Sequence, residues 1–576
     1  MISGETLPQL FGERVQRDGH RPALYVREAG TYEGRTWDEL GEQARRLAAG
    51  LVRCGVQPGD RVVQFSENRY EWIVVDMAIL WARAVHVPLH APLTGPQAAY
   101  QIADSGAKVV FLSTAAQAEK LRQLDPAIAA QLPRDLHYFT FSQALAPIGG
   151  QPVQPWVELW EATPDGESRQ VVRAGVQATR PADLATILYT SGTTGEPKGV
   201  MLTQQNLTTN ACATVERFAM RDEDRRLCFL PLSHIFARLA DLYTWCLAGY
   251  EMALAESRET VLDDCRDYRP TLLNGVPYFY DRTRRLVIER GEEDHPDGLR
   301  RALGGAIRAC NSGGAPLPDH VFDFYWQRHV PLLQGYGLTE TSPVIALSTP
   351  EHYRRGSSGR PIRGVEVRIA EDGEIQTRGP HVMIGYYHKP AATAEVLRDG
   401  WFSTGDLGRL DEDGYLFITG RKKELLITSG GKKVAAVYLE SLLTEDPLIL
   451  QAVVVGDGRD YLVALIVPNP DLLRQEIMTR GIAVTSREEA LSHPQVLELF
   501  ERRIHHRLRS VSYYEQIRRF RLMNRGFTIE SGELTPKLSL RRKQIEANCC
   551  DLIEAMYQKE GAPFPDQPAA NPVASA

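Results

Sequence analysis

Cysteine is sparse in this sequence and follows no spacing with a known structural purpose. Eight cysteines are scattered over 576 residues, and no two of them form a Cys-x-x-Cys pair. Secreted scaffolds held by disulfides carry dense, regularly spaced cysteines, and structural zinc sites use closely paired ones. The pattern excludes both classes and predicts reduced thiols in a cytoplasmic compartment.

Long apolar runs are also missing. The N-terminal stretch, MISGETLPQLFGERVQRDG, carries charged and turn residues where a signal peptide needs an unbroken apolar run. We therefore expect that the protein is not secreted. The most apolar window, residues 72–89, contains Asp76, Arg83 and His86, whereas a membrane-spanning helix needs about 20 mostly apolar residues. This window predicts a buried helix followed by a buried strand.

A surplus of positive charge is absent as well. Lysine and arginine number 66 against 73 aspartates and glutamates, which gives a net charge of −7. Such a chain has no general attraction to nucleic acid or to anionic membranes. With 43% hydrophobic and 24% charged residues, the composition is that of a globular protein and excludes global disorder. The length leaves room for up to about four domains.

Helical and strand patterns alternate through the first part of the chain. Apolar residues recur at helical spacing from Trp37 to Leu51, and a Pro-Gly turn precedes a strand pattern at 60–65. Further helix and strand patterns follow at 70–82, 85–89, 96–105, 108–112 and 184–188. This alternation predicts an α/β fold with substantially parallel sheets. Residues 147–180, rich in Pro, Gly and Gln and without periodicity, predict a surface connection instead.

The pattern changes after residue 360. Short strand patterns separated by glycines, at 365–369, 373–377 and 414–420, predict a β-rich subdomain over about 360–420. A basic, glycine-containing stretch at 421–433 precedes new helix and strand patterns at 438–443, 452–455 and 462–467. We therefore expect an N-terminal domain over 1–420 and a C-terminal domain over 421–560. Because residues 561–576 are rich in Pro and Ala, we expect a disordered tail there.

The most specific motif is LYTSGTTGEPKG at residues 188–199, directly after an apolar strand pattern. Its glycines and small hydroxyl residues allow backbone N–H groups and Oγ atoms to surround a polyphosphate, and Lys198 adds a positive charge. It is not a Walker A loop, because Lys198 lies between Pro197 and Gly199 rather than before Ser or Thr. A flexible Ser/Thr/Gly turn is the alternative that composition alone leaves open.

Five blocks of sequence occur in an order that is typical of one family. They are YTSGTTGEPKGVMLT at 189–203, LPLSHIFAR at 230–238, QGYGLTET at 334–341, WFSTGD with GYLFITGR at 401–406 and 414–421, and KKELLITSGGKK at 422–433. Together they resemble the adenylate-forming, AMP-producing acyl-CoA synthetases, most closely the long-chain fatty acid CoA ligase branch. The resemblance implies an α/β fold with a large N-terminal domain of several subdomains with mixed and parallel sheets. It also implies a small, mobile α+β C-terminal domain.

The same resemblance implies an activity. A long-chain fatty acid is activated with ATP to acyl-AMP, pyrophosphate is released, and the acyl group is then transferred to CoA. The implied cofactors are ATP, Mg²⁺ and, as cosubstrate, CoA; the partners are small molecules and not nucleic acid, in the cytoplasm or peripherally at a membrane. Two other functions stay open: an acyl-AMP ligase that delivers to a carrier protein or an amine, and a non-catalytic protein that binds a nucleotide or acyl-CoA.

Individual residues take roles from the resemblance. A carboxylate and ATP repel each other, so a cation and positive donors must neutralise the phosphates. By resemblance Glu340 binds Mg²⁺, and Thr339 and Thr190 form hydrogen bonds to phosphate. His234 orients the substrate carboxylate, although a packed core histidine is the alternative. The run at 274–281 resembles the block that lines the acyl tunnel.

The nucleoside needs an acceptor for its ribose hydroxyls and close backbone approach to its base. Asp406 resembles the family's ribose-binding aspartate, with a turn residue or helix N-cap as the alternative, and Arg421 resembles its partner. Tyr336 and the glycine-rich run from Ser312 resemble the walls of the adenine pocket. The residues that the resemblance implies for binding ATP or CoA are Thr190, Ser191, Gly192, Thr193, Thr194, Gly195, Lys198, Ser312, Gly313, Gly314, Ala315, Gln334, Gly335, Tyr336, Gly337, Asp406, Ile418, Arg421, Lys423, Gly430 and Gly431, and those implied for catalysis are Lys537, His234, Thr339 and Glu340.

A site that first excludes water and then admits CoA needs a conformational step. In the resemblance the small domain rotates about Lys423, and the loop with Gly430 and Gly431 then meets the pantetheine tunnel. A solvated charge run is the alternative for residues 421–424. The basic residues between Arg502 and Arg525 could meet CoA phosphates, but we expect most of these charges to be solvated.

The chain departs from the family at the lysine that bridges the carboxylate and the α-phosphate. The long-chain branch typically has Leu-Thr-Pro-Thr-Leu-Lys, whereas this chain has Leu-Thr-Pro-Lys-Leu-Ser, with Lys537 and Ser539. Other members often have Leu-Thr-Gly-Lys, and in that register Lys537 occupies the catalytic position. Two alternatives stay open: Lys537 performs this role, or adenylation is slow, specialised or lost.

Overall fold

In the computed structural model, residues 5–161, 163–190, 196–295, 297–528, 530–534 and 540–558 are described. The strands are β1 Pro22–Glu28, β2 Thr31–Thr36, β3 Arg61–Ser66, β4 Val85–His90, β5 Val109–Leu112, β6 His137–Thr140, β7 Leu145–Ile148, β8 Gln151–Pro155, β9 Leu184–Thr190, β10 Lys198–Thr203, β11 Arg225–Cys228, β12 Glu251–Leu254, β13 Leu272–Gly275, β14 Ala309–Ser312, β15 Leu332–Gly337, β16 Val344–Leu347, β17 Arg360–Pro361, β18 Glu366–Ile369, β19 Glu374–Arg378, β20 Gly385–Tyr386, β21 Leu397–Arg398, β22 Trp401–Leu410, β23 Leu416–Arg421, β24 Leu425–Ile427, β25 Lys433–Ala435, β26 Ile449–Val455, β27 Leu462–Pro468 and β28 Ile517–Leu522.

The helices lie between these strands. They are α1 Leu7–Asp18, α2 Trp37–Arg53, α3 Tyr70–Trp81, α4 Gly95–Ser105, α5 Ala115–Arg122, α6 Pro126–Ala129, α7 Val157–Glu161, α8 Asp165–Ala178, α9 Gln204–Phe218, α10 Ile235–Ala237, α11 Thr244–Ala248, α12 Val261–Tyr268, α13 Pro277–Glu289, α14 Gly298–Ala302, α15 Asp319–Gln327, α16 Pro390–Val396, α17 Ala436–Thr444, α18 Pro470–Arg480, α19 Arg487–Ser492, α20 Pro494–Arg507, α21 Arg542–Asn548 and α22 Cys550–Gln558. Residues Thr339–Thr341, Lys422–Glu424 and Tyr513–Glu515 form 3₁₀ turns, and Arg238–Tyr243 forms a π-helix. No described helix is long and apolar enough to cross a membrane.

The chain divides into two compact units. The first unit contains residues Met1–Thr404 and Arg409–Phe417, and the second contains Gly405–Gly408 and Ile418–Ala576. The backbone therefore passes between the units at three places within a few residues of β22 and β23.

Two mixed sheets form the centre of the first unit. The first sheet has the order β17-β16-β15-β14-β13-β11-β12-β1-β2, and the second has β20-β10-β9-β4-β3-β5-β6-β8-β7. In both sheets the central neighbours are parallel, and antiparallel strands lie at the ends. Because parallel strands end at the same edge of a sheet, the loops that follow them meet there. A smaller sheet has the order β18-β19-β22-β21, and β23 pairs with β22.

Helix α2 illustrates how the sequence specifies these elements. Trp37, Leu40, Ala44 and Leu47 are buried along one stripe, as their spacing predicts. At its start the Thr36 hydroxyl accepts a hydrogen bond from the backbone N–H of Glu39, and the Glu39 carboxylate accepts one from the N–H of Thr36. This capping box satisfies two backbone donors that the helix leaves without partners.

The apolar window 72–89 forms a buried helix and strand, as predicted. Every residue of α3 from Trp72 to Trp81 is buried, and so is β4 up to Leu89. Two of its polar residues are buried as a pair, Asp76 and His86, with Oδ1 and Nδ1 2.5 Å apart, whereas Arg83, in the turn between α3 and β4, is partly exposed.

The prediction of a surface connection over 147–180 is wrong. This region contains β8, α7 and the long helix α8. Its glycines concealed the helix, but Gly175 is required there: a Cβ at this position would lie 2.3 Å from the backbone oxygen of Trp81. The close approach of α8 to the end of α3 therefore favours glycine over a better helix former.

The second unit has its own core around the sheet β26-β27-β28. Alternate residues of β26 face opposite sides, because side chains alternate along a strand. Val454 belongs to the cluster with α17 and α20, whereas Val453 and Val455 belong to the cluster with α21 and α22. Strands β24 and β25 form a separate antiparallel hairpin in this unit.

All eight cysteines are free thiols, as predicted. Seven of them are wholly or partly buried and Cys550 is exposed. Burial raises the pKa of thiols such as Cys228 and Cys246 because it disfavours the thiolate.

A buried carboxylate, Glu533, supports the C-terminal part of the second unit. Arg525 donates two hydrogen bonds to it, at 2.6 and 2.7 Å, and Asn548 donates a third at 2.9 Å. The hydrogen bonds from Arg525 are the main reason that the pKa of Glu533 is lowered to about 2. Its backbone oxygen accepts from the Arg541 N–H, beside the bridge between Leu534 and Leu540.

We expect Glu533→Gln to lower the free energy of unfolding at pH 7 by about 1–2 kcal/mol, after allowance for the half-exposed Arg525. The folded pKa is below the value of about 4.3 in an unfolded chain, so the contribution is complete above that pH. It decreases as the pH falls towards about 2. Urea unfolding at pH 7, 5 and 4, with the exposed Glu488→Gln as control, measures this difference. A penalty that grows below pH 4.5 would contradict the assignment.

Candidate active site

The carboxyl edge of the first sheet brings three predicted segments together. Gly275, Ser312 and Gln334 are direct neighbours across the parallel strands β13, β14 and β15. The glycine-rich run from Ser312 and the run that begins at Gln334 therefore start side by side. Ligands of open α/β sheets bind at this edge.

Ser312 carries an unsatisfied polar group at this edge. Its side chain is completely buried, and among the described residues none forms a hydrogen bond with the Ser312 hydroxyl. A buried hydroxyl without a partner costs free energy, so the position suits a polar ligand atom or a water. The next residue, Gly313, is in close contact with the second block: a Cβ there would lie 3.1 Å from the Phe236 ring. Gly314 and Ala315 are exposed beyond it.

The predicted metal-binding turn follows the end of β15. A Cβ at Gly337 would lie 1.7 Å from the Pro343 oxygen, so only glycine fits where the chain turns back. Thr341 fixes the turn by accepting from the Leu338 N–H at 3.0 Å and donating to the Pro343 oxygen at 2.6 Å. Thr339 and Glu340 are half-buried at the start of the 3₁₀ turn.

The edge of the second sheet carries the phosphate motif. Thr190 ends β9 and Lys198 begins β10, and the two residues are paired across the strands. The Thr190 hydroxyl donates to the Lys198 carbonyl oxygen at 3.5 Å. The residues between them that were assigned to phosphate binding, Ser191, Gly192, Thr193, Thr194 and Gly195, lie outside the described residues.

Tyr386 connects these two edges, and the sequence did not single it out. Its hydroxyl donates to Glu340 Oε1 at 2.8 Å, and Lys198 Nζ lies 5.1 Å from the centre of its ring. Burial, reinforced by the Glu340 carboxylate, raises the pKa of the Tyr386 phenol, so the hydroxyl remains a hydrogen-bond donor. Because Tyr386 pairs with Val200 on β10, the strand pairing itself brings Lys198 and Glu340 to one place.

His234 lies in the loop between β11 and α10. Its backbone N–H donates to the backbone oxygen of Pro231 at 2.9 Å, and its backbone oxygen accepts from the backbone N–H of Arg238 at 3.0 Å. The imidazole is half-buried, so it is not a packed core residue, and its centre lies 5.5 Å from that of His90 in an edge-to-face arrangement. His90, at the end of β4, is a second residue that the sequence did not indicate, because a lone histidine in an apolar strand carries no specific pattern.

Two of the residues predicted to bind the nucleoside are in contact within the second unit. Arg421 Nε donates to Asp406 Oδ1 at 2.6 Å. Asp406 is buried inside strand β22, so it is neither the turn residue nor the helix N-cap of the alternative interpretation. Arg421 is about half exposed and ends β23, the strand that also carries Ile418.

The remaining predicted residues of the second unit are exposed. Lys423 lies in the 3₁₀ turn Lys422–Glu424, and Gly430 and Gly431 form the tip of the β24–β25 hairpin. The tip is held by hydrogen bonds from the Gly431 N–H to the Thr428 oxygen and from the Ser429 N–H to the Arg459 oxygen. Lys537 and Ser539, and the predicted tail over 561–576, lie outside the described residues.

Some arginines of the basic stretch between Arg502 and Arg525 form ion pairs within the second unit, although we expected most of its charges to be solvated. Arg503 pairs with Asp446 and Glu476, Arg507 with Glu445, and Arg525 with Glu533. These arginines therefore stabilise the second unit, while Arg518 stacks on Tyr513 with its guanidinium carbon 4.0 Å from the ring centre.

The first unit thus combines features of an anion-binding site. Thr190, Lys198 and the Glu340–Tyr386 pair lie together, and Ser312 and Phe236 lie at the neighbouring edge. Within the described part of the chain, no three His, Cys, Asp or Glu side chains are grouped so that they could hold a metal ion alone. Mg²⁺ is commonly bound by one or two carboxylates together with substrate phosphates, and Glu340 suits that arrangement.

Comparisons with known proteins identify the class. Residues 11–387 match the family model described as AMP-binding enzyme, and residues 423–561 match the model described as AMP-binding enzyme C-terminal domain. The chain therefore belongs to the AMP-binding enzyme family. This result confirms the predicted family and the predicted α/β fold with a large first part and a smaller C-terminal part.

Several relatives are similar over nearly the whole chain. The Long-chain-fatty-acid--CoA ligase FadD15 of Mycobacterium bovis is 34% identical over 95% of this chain and 96% of its own. Among solved structures, ATP-bound MatB from Rhodopseudomonas palustris is 25% identical with a TM-score of 0.71, covering 95% of this chain and 99% of that one. O-succinylbenzoate Coenzyme A Synthetase (MenE) from Bacillus subtilis, in complex with ATP and magnesium ion, is 23% identical with a TM-score of 0.70, covering 94% and 100%.

Proposed function

We propose that this protein is an AMP-forming long-chain fatty acid CoA ligase. It activates a fatty acid with ATP to acyl-AMP, releases pyrophosphate, and transfers the acyl group to the thiol of CoA. The observation that carries this proposal is the similarity to FadD15, a long-chain fatty acid CoA ligase, at 34% identity over 95% of the chain. The proximity of Lys198, Glu340 and Tyr386 supports a site for ATP phosphates and Mg²⁺ in the first unit.

The first step needs charge neutralisation, because the fatty acid carboxylate attacks the α-phosphorus of an anionic nucleotide. In this proposal Lys198 and Thr190 contact phosphate oxygens, and residues 191–195 of the same motif take part in phosphate binding. His234 orients the carboxylate, which makes the attack effectively intramolecular. The Ser312–Ala315 run and Gln334–Gly337 form the walls against the base.

Glu340 is the proposed Mg²⁺ ligand. Its carboxylate is a hard oxygen donor of the kind that Mg²⁺ prefers, and the hydrogen bond from Tyr386 fixes one of its oxygens. Bound there, Mg²⁺ would neutralise charge on the phosphates and on the departing pyrophosphate. Thr339 lies next to it, within reach of the same phosphates in this proposal.

The second unit supplies the remaining roles. Asp406, held by Arg421, accepts hydrogen bonds from the ribose hydroxyls, and Ile418 lies on the adjoining strand. Lys423 is the residue about which this unit rotates between the two steps, and the Gly430–Gly431 loop then contacts the pantetheine of CoA. Lys537 stabilises the developing charge between carboxylate and α-phosphate. Contact with a membrane surface and a cytoplasmic location belong to the proposal as well.

Release of pyrophosphate and AMP tests this proposal. We would measure both with ATP and Mg²⁺ and a series of carboxylates from acetate to oleate, each with and without CoA. CoA-dependent turnover that is highest with long chains is the expected result. Acyl-AMP formation that is unaffected by CoA would instead indicate a carrier protein or an amine as acceptor, and no pyrophosphate with any acid would contradict the proposed activity.

A further inference from the structure

The segment Leu230–Arg238, which carries His234, follows β11 of the first sheet but is attached to the second sheet. Asn68, in the loop after β3 of the second sheet, forms two hydrogen bonds with its backbone. Asn68 Nδ2 donates to the Leu230 oxygen at 2.7 Å, and Asn68 Oδ1 accepts from the Leu232 N–H at 2.8 Å. One amide side chain thus satisfies a donor and an acceptor of the loop, as a neighbouring strand would.

Two further attachments lead to the same sheet. His90 Nδ1, at the end of β4, is 3.0 Å from the Ser233 hydroxyl. At the other end of the segment, Arg238 is completely buried and contacts Asp76 at 2.5 Å and the hydroxyl of Thr186 on β9 at 2.8 Å. The strands concerned, β9, β4 and β3, are adjacent in the second sheet.

This attachment joins two parts of the first unit that carry different reactive groups. The second sheet carries Thr190 and Lys198, assigned to the phosphates, while the segment Leu230–Arg238 carries His234, assigned to the carboxylate. Leu230 and Leu232 are buried and His234 is half-buried. The position of the segment relative to the second sheet is therefore fixed by packing and by these hydrogen bonds. Since Asn68 holds two backbone groups, its loss leaves a buried donor and a buried acceptor without their partner.

We propose that Asn68 is a positioning residue for carboxylate activation. It fixes the segment Leu230–Arg238 against the second sheet and thereby sets where His234 holds the carboxylate relative to the phosphate-binding strands. This inference rests on the proposed function. Because His234 acts on the carboxylate in this proposal, the attachment affects the first step and not the transfer to CoA. Displacement of a reacting group by about 1 Å can lower the rate by about 100-fold.

Asn210 offers a matched control. Asn210 Nδ2 donates to the Val344 oxygen at 2.7 Å, and its Oδ1 accepts from the Val344 N–H at 3.1 Å. The same two-bond attachment therefore joins α9 to β16 of the first sheet and does not involve the segment with His234. Removing it measures the general cost of losing such a pair of hydrogen bonds.

The experiment compares Asn68→Ala, Asn68→Asp and Asn210→Ala. We expect Asn68→Ala to lower kcat/KM for the fatty acid in pyrophosphate release by about 10- to 100-fold, with the KM for ATP within about twofold and thioester formation from added acyl-AMP retained. Asn68→Asp keeps an acceptor for the Leu232 N–H but places a second acceptor against the Leu230 oxygen, so we expect a loss at least as large as in Asn68→Ala. For Asn210→Ala we expect a similar decrease in Tm but a change in kcat/KM of less than about threefold.

Hydrogen exchange of the backbone supplies a readout that is independent of activity. In Asn68→Ala the Leu232 N–H should exchange faster, whereas Asn210→Ala should affect Val344 instead. Equal losses of kcat/KM in both alanine variants, or an unchanged first step in Asn68→Ala, would overturn the proposal. If the wild-type protein releases no pyrophosphate with any carboxylate, the proposed function fails, while slower exchange or no change at Leu232 would show that the attachment itself is absent.

Discussion

Lys537→Ala is expected to slow acyl-AMP formation by about 100- to 1000-fold, because the loss of one preorganised donor to developing charge typically has that effect. Negative charge builds up between the carboxylate and the α-phosphate during this step. In the sequence block that the family uses to stabilise this charge, Lys537 is the only lysine. Thioester formation from added acyl-AMP and CoA should continue, since that step does not need the bridging cation. ATP–pyrophosphate exchange and single-turnover thioester formation separate the two steps.

Two further variants make the result specific. Lys543→Ala removes an exposed lysine from α21 and should leave both steps within about twofold, the usual range for surface changes. Ser539→Lys, added to Lys537→Ala, places a lysine where the long-chain branch commonly has one. Recovery of adenylation would show that both registers reach the site, whereas an unaffected first step in Lys537→Ala alone would exclude Lys537 from the reaction.

The second large effect concerns Glu340. We expect Glu340→Gln to lower kcat/KM for MgATP by about 100-fold or more, because the amide removes the negative charge that holds the metal. The variant should also need a higher Mg²⁺ concentration for half-maximal rate. Titration of pyrophosphate release with Mg²⁺ at fixed ATP measures both changes, and an unchanged Mg²⁺ requirement would contradict the metal role.

Tyr386→Phe tests how the carboxylate is held. Loss of the hydroxyl that donates to Glu340 should lower kcat/KM for MgATP by about 10-fold, the usual size of an outer-shell effect. When Tyr386→Phe is combined with Glu340→Gln, we expect little additional loss, because both changes disrupt the same hydrogen-bonded Glu340–Tyr386 pair. Tyr387→Phe, the neighbouring residue whose ring stacks on His388, is the matched control and should change the rate little.

The sequence predicted best what depends on local pattern. The spacing of apolar residues predicts helix α2, and the apolar window 72–89 predicts the buried helix α3 and strand β4. The order of the sequence blocks was sufficient to indicate the family. The prediction for residues 147–180 was wrong because Gly175 is required by a tertiary contact with Trp81, which no local pattern reveals.

The site was predictable in its motifs but not in its connections. Thr190, Lys198 and Glu340 stand out as members of motifs, whereas Tyr386 meets Glu340 only in the folded chain, where β20 pairs with β10 and the Tyr386 hydroxyl donates to the Glu340 carboxylate. Asn68 lies 162 residues from Leu230 along the chain, so its attachment requires the folded chain. Side chains that hold other residues in place have no motif of their own, and this is why they were missed.

The three passages of the backbone between the units limit how the chain can be dissected. Residues Gly405–Gly408 belong to the second unit although residues on both sides belong to the first. A cut after Phe417 therefore leaves Asp406 on one fragment and its partner Arg421 on the other. Limited proteolysis at one bond cannot yield both units intact, and a deletion that removes the C-terminal part also breaks the ion pair between Asp406 and Arg421 of the proposed ribose site.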